Sequence, residues 1–315
     1  VAGNGIYLES QFDAETSANI CFDVCKQITE PSLPLGALVA NGGNTAFSGN
    51  VVKTSGKDGI TFTGPGCAVT GNVVEGTVAA GIRIQGAADR STLVGNTIKS
   101  CGHGILALGV SAVGLVATGN TIKTVQVGFG VSGGTFIDSS FIGNTIDGAT
   151  SQGVVLTSGS TNNRIIGNTF ANGSNWAIEF PTGANKNVAI ANSVRAQNSG
   201  ITVASNDCLV ADNDLSGVAV TPLTISGTGH VQRNNRGPAH ADGFTALTVT
   251  GTVSAAGVNV SGLTASFAVV TDGSKNLASL GFSQSTTGLT LVQRTSGGVG
   301  NFVGINCSGL TASRA

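Results

Sequence analysis

The sequence predicts an all-β solenoid, on three observations. Gly-Asn pairs recur at a near-constant period, a Gly-Ile marker recurs in phase with them, and the segments around both alternate apolar and polar residues. The asparagines stand at Asn50, Asn72, Asn96, Asn120, Asn144 and Asn168, spaced by 22 and then by 24 residues. Asn192, Asn213 and Asn234 continue the series at 24, 21 and 21. The second marker runs Gly59-Ile60, Gly81-Ile82, Gly104-Ile105, Gly128-Phe129, Gly153-Val154, Ala177-Ile178 and Gly200-Ile201, spaced by 22 to 25 residues. Two markers sharing one period of this size read as stacked repeats.

The segments after the second marker are short: GITFTG at 59–64, GIRIQG at 81–86, GVVLTSG at 153–159 and GITVAS at 200–205. Their apolar residues sit two apart, as a half-buried strand requires, and helical repeats are longer and poorer in glycine. Three residues before the asparagines stand Phe47, Val69, Leu93, Ala117, Phe141, Ile165, Ala189 and Val210. Two residues after them stand Val52, Val74, Ile98, Ile122, Ile146, Phe170, Val194 and Leu215. Each coil therefore holds about three short strands with bends between them, and stacked coils bury one apolar column that no single coil could bury alone. The asparagine is expected at a bend, where successive amides form a ladder, each donating to one neighbour and accepting from the other. Asparagine tolerates left-handed backbone geometry, and the glycine before it is expected to leave it room.

This pattern resembles the right-handed parallel β-helix of the pectate-lyase-like superfamily. The resemblance covers residues 1–236 and implies a single-stranded β-helix of about nine coils. The first coil is irregular: Asn19 to Asn50 spans 31 residues, and KQITEPSLP at 26–34 is expected to loop outward. GPAHADG at 237–243 reads as a linker. Beyond it, at 244–315, the period changes: GVNVSGLTASFA at 257–268 returns 47 residues later as GINCSGLTASRA, inside which the chain stops. This segment is rich in Thr, Ser, Gly and Val and poor in large core residues, so assembly with identical chains would supply the missing burial. SGLTASFAVVTDGSKNLASLGF and LVQRTSGGVGNF look like shaft repeats of bacteriophage tail fibres and tailspikes. That resemblance implies a homotrimer with an intertwined β stalk, truncated here.

Composition narrows the functions. The chain has 315 residues, of which 10% are charged, with a net charge of −1, so it carries no basic field for nucleic acid. No apolar run of about 18 residues offers a membrane span. Without methionine, and opening on VAGNGIYLES, the chain reads as a fragment or processed product. Cys21, Cys25, Cys67, Cys101, Cys208 and Cys307 lack metal-ligand spacing and read as free, mostly buried thiols. No metal and no cofactor is expected.

Polysaccharide cleavage by a β-helix would need two carboxylates about 5–10 Å apart. The outward residue after each second marker gives the column Thr61, Arg83, Leu106, Gly130, Val155, Glu179, Thr202 and, one period on, Thr224. Arg83 and Glu179 lie four coils apart, roughly 19 Å, and cannot form one catalytic pair. Glu179 sits in NWAIEF beside the only tryptophan, Trp176; an aromatic near an acid suits a sugar, although a packed turn and a solvated acid would read alike. Arg83, Trp176 and Glu179 are the candidate substrate-binding residues. Asp212 and Asp214 flank Asn213 as the tightest acidic cluster, and with Glu179 they are the weak catalytic candidates. His103, His230 and His240 have no partner at recognisable spacing. Lys53, Glu75, Lys99, Lys123, Asp147, Ala171, Arg195 and Ser216, three after each asparagine, read as a salt-bridged surface ladder, and Lys186 with Asp207 as a structural pair. Val94, Thr118, Ile142, Ile166 and Ile190 face outward unless the strand bulges, and an apolar stripe there suits a partner surface.

The sparse outward acids favour binding over cleavage. The sequence therefore reads as a structural and host-recognition component of a phage tail fibre or tailspike, a virion appendage whose β-helix meets bacterial surface polysaccharide and whose ends meet other virion tail proteins. The alternatives are a tailspike-type polysaccharide depolymerase, hydrolase or lyase, and a bacterial extracellular adhesin or filament protein.

Overall fold

A computed structural model describes residues 5–9, 14–22 and 36–237, together with the backbone of the strands Phe267–Thr271 and Leu277–Gly281. The chain divides into two units, Val1–Val253 and Ser254–Ala315. The first is an all-β, right-handed parallel solenoid. In the second, the two described strands pair antiparallel. The expected loop 26–34, Cys25, Cys307, the linker beyond Gly237 and the rest of the segment 244–315 lie outside the described residues. No helix among the described residues is long and apolar enough to cross a membrane.

Within the solenoid a ten-stranded parallel sheet runs along one side, with rungs such as Ala68–Thr70, Thr92–Val94 and Val116–Thr118. Ten rungs make nine coil-to-coil steps, in line with the coil number read from the markers. A fifteen-stranded sheet carries the strands after each asparagine and the strands holding the second marker. From Thr121 onward these two sets fuse in most coils into continuous strands such as Thr121–Ser132 and Thr145–Val155, but Thr169–Ala171 and Trp176–Phe180 stay separate. The marker spacing of 25 between Gly128 and Gly153 corresponds to a register shift between Val125 and Val127, where one extra residue is absorbed.

The inward columns fall where the alternation puts them. Phe47, Val69, Leu93, Phe141 and Ile165 are buried before the asparagine bend, and Val52, Ile98, Ile122, Ile146 and Phe170 after it. Ile60, Ile82, Ile105, Phe129, Val154, Ile178 and Ile201 fill the third wall. The glycine of the second marker is there for contact: a Cβ on Gly81 would lie 2.3 Å from Ile98 Cγ2.

The asparagine ladder forms, and it points one way. Asn96 Oδ1 accepts from the backbone N–H of Asn72 at 3.0 Å and from Asn72 Nδ2 at 2.9 Å. Asn96 Nδ2 donates to Val69 O in the preceding coil and to Asn120 Oδ1 in the following one. The pattern repeats from Asn19 through Asn50, Asn144, Asn168, Asn192 and Asn213. Two expectations need correction. The last rung is Asn235, whose Oδ1 accepts from Asn213 at 2.8 Å, whereas Asn234 is an exposed bend residue donating to Asp212. The left-handed backbone belongs to the residue before the asparagine: Gly71, Gly95, Gly119 and Gly143 have φ of 60–64°. A Cβ there would meet nothing within 4 Å, so the glycine supplies a conformation rather than room. Ala191, Asp212 and Asn234 adopt the same φ without being glycine.

A second, mixed ladder escaped the sequence reading. Ser139 N donates to Asn163 Oδ1, and Asn163 N and Nδ2 donate to Asn187 Oδ1, at 2.9–3.0 Å. Leu115 N donates to Ser139 Oγ in the coil before. The 24-residue spacing of Asn163 and Asn187 was the available signal, diluted because serine and other residues take the other rungs.

Candidate ligand-binding face

The second-marker strands place their outward residues in one file. The register pairs Thr61 with Arg83, Arg83 with Leu106, Leu106 with Gly130, Val155 with Glu179, Glu179 with Thr202, and Thr202 with Thr224. Outward does not mean exposed at one end of the file, because Thr61 is fully buried and Leu106 nearly so. Next to Arg83 the face opens into a cleft of about 430 Å³, with Leu106, Leu108 and Val127 as apolar floor and Arg83, His103, Gln126 and Ser132 as polar wall.

Three charged or titratable groups meet at the end of this cleft. Asp58 Oδ1 accepts from Ala80 N at 2.8 Å and Oδ2 accepts from Arg83 Nε. Burial outweighs that pairing and holds the Asp58 carboxyl above its ordinary range, with Arg83 opposing the shift. His103 sits two coils on from Asp58 and shares a rung with Ala80. Burial, reinforced by the Arg83 charge, lowers its pKa, so the ring is neutral at pH 7. Its Nδ1 is buried with no hydrogen-bond partner. Sequence spacing gives His103 no partner and does not single out Asp58. Their common position, one residue before a second marker, was the signal.

Arg83 is thus held by Asp58, with its side chain 14% exposed and its terminal nitrogens left for the cleft. Trp176 and Glu179 lie on the strand Trp176–Phe180, both half-buried on either side of buried Ala177 and Ile178. Gln152 Nε2 in the preceding coil donates to Glu179 Oε2 at 3.0 Å. Arg83 and Glu179 are four rungs apart, as the column predicts. Asp58 and Glu179 are five rungs apart, roughly 24 Å, far beyond the reach of a cooperating acid pair.

Asp212 and Asp214 are not brought onto this face. Asp212 is the left-handed bend residue before Asn213, and its Oδ1 accepts from Asn234. Asp214 accepts from Ser216 N at 3.1 Å, and the Ser216 hydrogen bonds, with help from Arg236 and Arg195, hold its carboxyl below the usual range. It is a fixed carboxylate rather than a proton donor. Burial pushes the Cys67, Cys101 and Cys208 thiols up, so these free cysteines are packing groups rather than activated nucleophiles. No group of three metal-ligating side chains gathers among the described residues.

The surface ladder is present in part: Lys99 pairs with Glu75 at 3.2 Å and Lys123 with Asp147 at 3.9 Å, while Lys53 lies over the Phe22 ring. Lys186 and Asp207 form no ion pair. The apolar stripe does face outward: Val94 and Ile142 are 39% and 38% exposed, with Thr118, Ile166 and Ile190 half-buried in the same register.

A family described as the right-handed β-helix region matches residues 4–170. Among solved structures, the Dettilon tailspike protein superposes with a TM-score of 0.56 at 16% identity, over 71% of this chain and 50% of that one. The chain thus spans half the length of that tailspike. DFA-IIIase from Arthrobacter chlorophenolicus A6 gives 0.43 at 16% identity, over 63% of this chain and 66% of that one. ORF18 of Geobacillus virus E2 gives 0.43 at 10% identity, over 74% and 53%. No curated protein sequence matches the chain.

Proposed function

Because the chain belongs to the right-handed β-helix family, we propose that it is a structural and host-recognition component of a phage tail fibre or tailspike. In this reading it works as a homotrimer on a virion tail, next to other tail proteins, and holds bacterial surface polysaccharide against its β-helix. One observation carries the reading: a shallow cleft opens on the long sheet, and the same file of residues continues from it to Glu179 on the Trp176 strand. A linear glycan laid along the axis could use apolar floor, the Arg83 nitrogens and the Trp176 ring. The fold likeness to a tailspike agrees with this reading but is a likeness of fold alone.

The test is a panel of bacterial surface polysaccharides presented to the purified protein, with its mass in solution measured by light scattering. The reading expects at least one polysaccharide to be retained, Trp176→Ala to weaken retention about tenfold, and the mass to equal three chains. Retention of none, or a monodisperse monomer, would overturn it.

A second reading, a polysaccharide hydrolase or lyase, rests on a different observation. Asp58 keeps its proton more tightly than usual, and the neutral His103 ring lies near it on the cleft wall. It expects retained polysaccharide to shorten, and the shortening to vanish in Asp58→Asn. Intact polymer after prolonged incubation would remove it.

A further inference from the structure

A second cleft lies off the long-sheet face, on the flank of the ten-stranded sheet. It has a volume of about 470 Å³ and is lined by Asp138, Ser140, Asn162, Arg164, Lys186 and Val188. These belong to three successive coils: Ser140 pairs in register with Arg164, and Arg164 with Val188. Asp138, Asn162 and Lys186 are the matching bend residues two positions earlier, all with left-handed backbone. That conformation at three consecutive bends fixes a ridge, and the sheet residues form the floor beside it. The cleft therefore runs for two coil steps, roughly 10 Å.

The charges in this cleft are unspent. At two places on the solenoid neighbouring coils neutralise each other, Lys99 with Glu75 and Lys123 with Asp147. Here Arg164 and Lys186 stand on neighbouring coils and, like Asp138 and Asn162, have no side-chain ion pair or hydrogen bond among the described residues. Arg164 is in register with Val188, two residues beyond Lys186, so the two cations border the same cleft from neighbouring coils. A guanidinium presents a planar fork matched to a carboxylate, and the ammonium adds a point charge. Asp138, Asn162 and Ser140 offer the acceptors and donors that hydroxyl groups require. The Asp138 charge leaves the three ionic groups at net +1, which suits a monoanion and works against a dianion.

We propose that this cleft is a second binding site, which takes a carboxylate-bearing sugar residue of an acidic polysaccharide. The carboxylate sits between Arg164 and Lys186, and the ring hydroxyls meet Asp138, Asn162 and Ser140. The site gives the solenoid a charge-selective contact apart from the Trp176 face.

The test is calorimetric titration of the full chain with three probes: a glucuronate tetrasaccharide, the neutral glucose tetrasaccharide of the same linkage, and inorganic phosphate. The acidic oligomer is expected to bind about tenfold more tightly than the neutral one, and to lose that advantage in added salt. Arg164→Ala combined with Lys186→Ala should abolish the difference without moving the melting temperature, since both side chains are exposed. Trp176→Ala should leave the difference intact, which separates failure here from failure of the host-recognition reading. Equal binding of the two oligomers, retention of the preference in the double variant, or phosphate binding as tightly as the acidic oligomer would each overturn the proposal.

Discussion

Replacing Asn120 by alanine tests the asparagine column directly. Asn120 Oδ1 accepts from Asn96 N at 3.0 Å and from Asn96 Nδ2 at 2.9 Å, and its own Nδ2 donates to Leu93 O and Asn144 Oδ1, both at 2.9 Å. All these asparagines are fully or almost fully buried. The alanine would orphan two donors on Asn96 inside the stack. Each buried orphan costs about 1–3 kcal/mol, so the sum is about 2–5 kcal/mol once partial relaxation is allowed. Chemical denaturation measures the total. Amide hydrogen exchange locates it: the Asn96 N–H should exchange much faster in the variant, while the Asn50 N–H, bonded to Asn72 two coils away, should not. A loss below about 0.5 kcal/mol, the level of an ordinary surface substitution, would refute the argument. So would unchanged protection at Asn96.

Three further outcomes are expected. Gly119→Ala should destabilise by about 1–2 kcal/mol through backbone conformation alone, and Ala191→Gly should stabilise by a similar amount, since both positions hold the same left-handed φ and a Cβ at Gly119 meets no neighbour; paired melting curves decide it. Asp58 has a folded-state pKa above its unfolded one, so its contribution is complete below the unfolded value and fades as pH rises through the folded value. The stability advantage of wild type over Asp58→Asn should therefore shrink as pH rises above the ordinary aspartate range in denaturation series. For Glu75 and Lys99, 37% and 54% exposed at the side chain, a double-mutant cycle should return no more than about 1 kcal/mol.

The repeat was legible because two markers repeat independently and every coil obeys the same alternation. What failed were details that one coil decides alone. Asn234 and Asn235 stand side by side, and only the stacking shows that the second reaches Asn213. The role of Gly95 was misread because sequence spacing reveals that a glycine is needed without saying whether for space or for φ. The candidate face was legible as a file, since Arg83 and Glu179 do share one column. The grouping of Asp58, Arg83 and His103 was not, because it joins residues from two columns across three coils. The free charge of Lys186 was hidden for a related reason: its spacing from Asp207 suggests a pair, whereas pairing depends on the direction each side chain leaves its bend.

The one-way sense of the asparagine column sets an order in time. The chain is made from its N-terminus, so when Asn96 emerges its Oδ1 already has both donors from Asn72, and Val69 O is waiting for its amide. Its backbone N–H and second amide hydrogen must wait for Asn120, 24 residues still unsynthesised. At the asparagine bend, a coil with no successor therefore has its amide oxygen and one amide hydrogen satisfied by the coil before, and its backbone N–H and the other amide hydrogen open. The nascent solenoid grows from a template whose leading edge asks for one group, an asparagine oxygen, and a coil that arrives out of phase cannot supply it.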